Sequence, residues 1–170
     1  MSEPALELLR PDHAPALLAF ERENRAYFSA SIPDRGDDYF TGFDARHAEL
    51  LAEQGAGLHF FHVLVDSDGA VLGRINLVDV ANRSAVLGYR IAEKAARQGL
   101  ATRAVHRTCA LASDRYGLST LRAATTLDNE GSRTVLARTG FVPTGETLLS
   151  GRPGTRYVRH LDRDPAALDI

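Results

Sequence analysis

The chain has 170 residues, a formal net charge of −2 and a single cysteine, Cys109. That length suits one domain with a buried core, while the near-neutral charge gives no general attraction to nucleic acid or to an anionic membrane. One thiol excludes an internal disulfide and paired-cysteine metal sites, and no apolar run approaches the roughly 20 residues needed to span a bilayer.

The opening Met1-Ser2-Glu3-Pro4 has neither a basic nor an apolar leader character, so a cytoplasmic protein is expected, with no metal, membrane or nucleic-acid partner. A single domain is expected over residues 1–162, followed by a short polar tail at 163–170. Ala5 to Leu9 suits an edge strand. Asp12 then offers an N-cap for a helix whose apolar stripe is Ala14, Leu17, Leu18 and Phe20, reaching toward Tyr27. Pro33 and Gly36 mark the segment from Ser29 to Asp38 as a loop. A second helix is expected from about Tyr39 to Gln54, ended by Gly55 and Gly57.

Strand signals follow. Leu58 to Val65 is apolar, and Asp66-Ser67-Asp68-Gly69 has the composition of a hairpin turn. Val71, Gly73, Ile75 and Leu77 alternate with more polar neighbours, and Asn82-Arg83 turns the chain into Val86 to Ile91. After Gly99 the period becomes helical, with Ala101, Ala104, Val105, Thr108, Cys109 and Ala112 on one face and Gly117 as the stop. Leu121 to Thr126 reads as a strand, Gly131 to Thr139 as a short helix, and Phe141-Val142-Pro143 with Thr155 to Leu161 as two closing strands. The resulting order is a mixed α+β sheet and not a βαβ repeat. No G-x-G-x-x-G follows an N-terminal strand, which disfavours a dinucleotide-binding fold.

The segment Ala96-Arg97-Gln98-Gly99-Leu100-Ala101-Thr102 joins a strand to the long helix. A helix N-terminus presents unpaired N–H groups and partial positive charge, which suits a pyrophosphate. Gly99 lets the backbone approach an anion, and Arg97 and Arg103 add charge. Alone, the pattern is equally that of a flexible helix entry.

Its surroundings narrow the choice. Leu72-Gly73-Arg74-Ile75, Leu87-Gly88-Tyr89-Arg90-Ile91, Gln98-Gly99-Leu100-Ala101-Thr102, Asn129 with Ser132, and Arg138-Thr139-Gly140-Phe141 occur in an order and spacing that resemble the GNAT superfamily. The likeness is to its RimJ/RimL-like branch, which acetylates protein N-termini, and Asn24-Arg25, the Pro33 loop and Asp38-Tyr39-Phe40 resemble that branch more loosely. The family pattern has Gln or Arg where this chain has Ala96, and commonly glycine where it has Arg97. Arg97 must therefore fit a position usually free of a side chain, or contact a phosphate directly.

The resemblance implies a GNAT acyl-CoA acyltransferase fold, a mostly antiparallel sheet flanked by helices, with acetyl-CoA as cofactor and a primary amine as acceptor. The acceptor it implies is a protein or peptide N-terminal α-amine, such as that of a ribosomal protein; homodimers are common among such proteins. It also implies that the strand at Gly88 to Ile91 splays from Leu121 to Thr126, making room for pantetheine beside Arg90 and Ile91. The amides of Gln98 to Thr102 are left for the pyrophosphate, with Arg97 beside them. Asn129 would hold the pantetheine arm and Ser132 would return a proton to sulfur, although both residues are also ordinary helix caps. Tyr89 would line the acceptor cleft or pack against the first helix. Asn24, Arg25 and Phe28 would form the acceptor wall.

A general base is not fixed. The branch often carries a Glu after its Gly-Phe motif, but that position falls near Gly151, so Glu146, Asp79, His62 and a water chain are the candidates. Two other readings stand beside α-amine transfer: acetylation of a small amine such as an antibiotic, polyamine or amino acid, and a non-catalytic acyl-CoA-binding module.

Overall fold

The computed structural model describes residues 3–161, so the expected tail at 163–170 lies outside the described residues. The strands are β1 (Ala5–Leu8), β2 (Phe60–Val65), β3 (Val71–Ala81), β4 (Ser84–Ile91), β5 (Thr120–Thr126), β6 (Val142–Leu149) and β7 (Arg152–His160). The helices are α1 (Ala14–Glu23), α2 (Arg25–Ser29), α3 (Asp37–Thr41), α4 (Phe43–Gly55), α5 (Leu100–Asp114) and α6 (Glu130–Arg138). One sheet runs in the order β1-β2-β3-β4-β5-β7-β6. Every pairing is antiparallel except β4 with β5. The mixed, mostly antiparallel architecture expected from the sequence is the one observed.

Both faces of the sheet carry a core. Strand alternation sends Leu64, Ile75, Leu77 and Leu87 to one face, where the apolar stripe of α5 (Leu100, Ala104, Val105, Cys109 and Ala112) covers them. Phe61 and Val63 point to the other face and pack with Leu17, Phe20, Phe28 and Phe43 of the first four helices. Burying about ten side chains of this size on each face is the main favourable contribution to folding.

Turn chemistry fixes the hairpins. Asp66 Oδ1 accepts the N–H groups of Asp68 and Ala70, each at 2.9 Å. Asn82 and Arg83 both have positive φ, 51° and 60°, as a two-residue primed turn requires. Ser150 and Gly151 repeat the device between β6 and β7, with φ of 51° and 78°. This hairpin extends both closing strands well beyond the expected Phe141–Pro143 and Thr155–Leu161.

Three local expectations are corrected. Asp12 is not an N-cap: it lies in a 3₁₀ turn at Pro11–His13 and its carboxylate takes Arg10 Nε at 3.0 Å. The first helix breaks at Asn24, whose side-chain Nδ2 donates to Phe20 O at 2.9 Å. The second divides at Gly42, whose N–H closes the short α3 on Asp38 O at 2.9 Å.

Pairing between β4 and β5 is confined to Ser84–Val86 against Thr120–Arg122. Beyond Val86 the two strands part, β4 staying with β3 and β5 with β7. The edge of β4 from Leu87 to Ile91 therefore faces an opening at the middle of the sheet.

Candidate active site

The opening is a cavity of about 210 Å³ lined by Leu87, Gly88 and Tyr89 of β4, Ala123 to Thr126 of β5, and Asn129, Ser132 and Leu136 at α6. Ser31 to Pro33 and the hairpin residues Leu149, Ser150 and Arg152 close its far side. A second cavity of about 480 Å³ runs from Tyr89, Arg90 and Ile91 past Ala95 to the start of α5, with Gly131, Ser132, Val135 and Arg138 opposite. Ser31, Ile32, Tyr89, Asn129 and Ser132 line both, so the two meet there as one groove.

At the junction Tyr89 Oη donates to Ser132 Oγ at 3.2 Å. Burial raises the Tyr89 phenol above its ordinary value, and the bond to Ser132 only partly offsets this. The phenol is therefore protonated at neutral pH. Because Tyr89 donates to it, Ser132 keeps its own hydroxyl hydrogen to offer into the groove. Asn129 sets this geometry by capping α6: its Oδ1 accepts the Ser132 N–H at 3.1 Å.

The other end of the groove is the N-terminus of α5. Gly99 occupies the cap position with φ +74°, and no side chain caps the helix. The N–H groups of Gly99, Leu100, Ala101 and Thr102 have no acceptor among the described residues. Arg103 NH1 donates to Gln98 O at 2.9 Å, fastening the loop. A Cβ on Gly99 would come within 2.9 Å of that same NH1 and would displace it, and the φ of +74° itself favours glycine. Arg97 also takes positive φ, 62°, holding the glycine-like conformation at some steric cost. The open amides, the dipole and the nearby Arg97 and Arg138 fit an anionic phosphate group.

Not every expected site residue reaches the groove. Arg90, Ile91, Arg97, Gly99, Leu100, Ala101, Thr102, Asn129, Ser132, Tyr89 and Phe28 line it. Gln98 is exposed beside it, with its amide 3.4 Å from Lys94 O. Asn24 is buried and fully engaged, accepting the Glu93 N–H at 2.9 Å, so it braces the helix break against the turn after β4. Arg25 lies on the outer side of Phe28, bound to Asp34 and Asp37, each at 2.8 Å.

The three side chains expected as bases stand apart from the groove. Asp79 is exposed near the far end of β3, its N–H on His59 Nδ1 at 3.0 Å. Glu146 is exposed on β6, paired through the backbone with Thr155. His62 is buried between Ile75 O at 3.1 Å and Tyr116 Oη at 2.6 Å, and burial pushes its imidazole down to about 4.

A buried charge cluster escaped the sequence reading. Glu21 on α1, only 1% exposed, accepts Arg74 NH1 at 2.9 Å and Arg35 Nε at 3.0 Å. Burial alone would raise the Glu21 carboxyl, but Arg74 and Arg35 reverse this and hold it low. The signal was present: Glu21 follows Leu17 by four residues, on the stripe that had to face the sheet. Among the described residues no His/Cys/Asp/Glu cluster could hold a metal ion, and no helix is long and apolar enough to cross a membrane.

Known proteins share this fold. YdaF of Bacillus subtilis, provisionally assigned as a ribosomal N-acetyltransferase, is 28% identical over 152 residues, spanning 83% of this chain and 79% of that protein. The ribosomal-protein-S5-alanine acetyltransferase of Vibrio fischeri superimposes with a TM-score of 0.89 at 22% identity, covering 95% of each chain. RimJ of Mycobacterium smegmatis, solved with a CoA disulfide, gives 0.83 at 24% identity over 94% of this chain and 83% of that one. Residues 5–142 match the acetyltransferase (GNAT) domain, and the chain belongs to that family of acetyl-CoA-dependent N-acetyltransferases.

Proposed function

We propose that this protein transfers an acetyl group from acetyl-CoA to the α-amine of a protein or peptide N-terminus, with ribosomal proteins as the first acceptors to try. The observation that carries this reading is the continuous groove from the open amides of α5 to the Tyr89–Ser132 pair at the splay of β4 from β5. The neighbour that acts on the alanine of ribosomal protein S5 supports the choice of acceptor.

Bound acetyl-CoA supplies the acetyl thioester. The amides of Gly99 to Thr102, with Arg97 and Arg138, are the groups suited to its phosphates. The unpaired edge of β4 from Leu87 to Ile91, and Asn129, are suited to the arm. Ser132 Oγ–H is the proton held nearest the splay, and Tyr89 Oη–H can replace it. Among the described residues lining the groove there is no carboxylate and no imidazole, so the ammonium proton of the acceptor passes to water.

Intact-mass analysis of short peptides tests this assignment. One acetyl group on a free N-terminus, and none on a peptide with a blocked N-terminus and an internal lysine, is the expected result. Acetylation of the lysine or of spermidine alone would refute it.

A further inference from the structure

Arg74 and Arg90 are cross-strand partners on β3 and β4, on the face that α1 covers. Like charges directly opposite repel, and the carboxylate placed over them is Glu21. It is shared unequally: Arg74 and Arg35 bind it at 2.9 and 3.0 Å, whereas Arg90 NH1 reaches it only at 3.5 Å. Three guanidiniums thus surround one carboxylate, and Arg90 is the least satisfied. Its Cζ lies 5.0 Å from the Phe28 ring centroid, and its other N–H groups have no acceptor among the described residues. Burial, reinforced by the charge of Arg35, lowers its pKa to about 10. A half-buried guanidinium with donors to spare is a ready partner for an anion that enters the groove.

The Arg90 side chain enters the groove from the α1 face of the sheet, opposite the face that carries Tyr89. Arg90 lines the larger cavity together with Phe28 and Tyr89. All charged side chains lining the groove are arginines: Arg90, Arg97, Arg138 and Arg152. Arg97 and Arg138 flank the α5 end, where the phosphates are assigned, and Arg152 is bound by Asp128. Arg90 is the one that follows Tyr89 along β4, and it shares the single carboxylate of Glu21 with Arg74 and Arg35.

We infer that Arg90 selects acceptors bearing a carboxylate close to the reacting amine, such as a peptide with Asp or Glu within its first three residues. The inference rests on the proposed α-amine activity and names its acceptor class. A carboxylate on Arg90 would form a charge-assisted pair and balance the cluster. A lysine or polyamine would meet the same surplus positive charge and be rejected.

The test is kcat/KM by thiol release on peptides identical except for Asp, Asn or Lys at position two or three. Asp should exceed Asn by about tenfold or more, the scale of one hydrogen-bonded ionic contact, and Lys should be poorest. Replacing Arg90 with Met keeps the stem over Phe28 and leaves Glu21 with two partners, so the protein should still show a CoA-dependent rise in Tm. In this variant the Asp/Asn ratio should fall toward one through KM, and Arg90→Lys should restore part of it. Equal rates for Asp and Asn in the unaltered protein, or a ratio that survives Arg90→Met, would overturn the inference while leaving α-amine transfer intact. Absence of transfer to every peptide, with acetyl-CoA bound, would overturn the underlying activity and the inference with it.

Discussion

Tyr89 Oη and Ser132 Oγ stand 3.2 Å apart, one on β4 and the other in the first turn of α6. This bond crosses the groove at the point where its two cavities meet, so two distant parts of the chain hold one proton between them. The hydroxyls therefore act as a unit. Tyr89→Phe and Ser132→Ala should each lower kcat about 10- to 100-fold, and the double variant should be little worse than the poorer single one. Steady-state kinetics on the four proteins checks this. Fully multiplicative losses would mean that the two groups work independently.

Arg97 tests the cost of departing from glycine at a left-handed position. Its φ of 62° is sterically unfavourable for a residue with a Cβ. Arg97→Gly should therefore stabilise the cofactor-free protein by about 1 kcal/mol, while weakening CoA by removing a cation beside the α5 amides. Thermal melts with and without CoA separate the effects. A variant that lost stability would show that Arg97 is anchored by contacts that outweigh its strain.

The Glu21 cluster and the Arg25 cluster make opposite predictions about ion pairs. Glu21→Gln leaves buried Arg74 facing Arg35 and Arg90 without a counter-charge, and should cost about 3 kcal/mol or more. Arg25 pairs with Asp34 and Asp37 at the surface, where solvent screens the gain. Arg25→Ala should leave the urea midpoint nearly unchanged. A large loss from Arg25→Ala and a small one from Glu21→Gln would reverse this ranking.

These residues also mark what the sequence carried and what it withheld. The α5 entry at Gly99 and the Asn129 cap were legible because turn and cap requirements are local, whereas the splay of β4 from β5 followed only from the family resemblance. Gly99 could be read from one helix start. The Glu21 cluster needs four side chains from α1, the loop before α3, β3 and β4, and no local pattern brings them together. The helix break at Asn24 was missed for the same reason. Asn24 leaves its helical stripe to hold the Glu93 N–H, a partner 69 residues away. His62 is open to a catalytic reading in the sequence because its Nε2 partner, Tyr116, lies 54 residues away, just beyond α5.

His62 gives a pH signature. Its imidazole titrates near 4 when folded, because burial disfavours the charged form, against an ordinary value of 6.5. Between those values the unfolded chain binds more protons, so stability is fully present above about pH 6.5. It is lost progressively as pH falls toward 4, by up to about 3 kcal/mol. Urea unfolding across that range should show a steeper decline for the unaltered protein than for His62→Gln. Parallel curves would place the acid sensitivity in other groups.

The most direct test of the groove as an acetyl-transfer site is a calorimetric titration with acetyl-CoA, followed by thiol release in the presence of an N-terminally free acidic peptide. The protein should bind acetyl-CoA, lose that binding in Gly99→Val, where a β-branched residue cannot hold a φ of +74° beside the open amides without strain, and release CoA only when the peptide is present. Failure to bind acetyl-CoA, or undiminished binding in Gly99→Val, would contradict the assignment of the α5 amides and the splayed strands as the cofactor site.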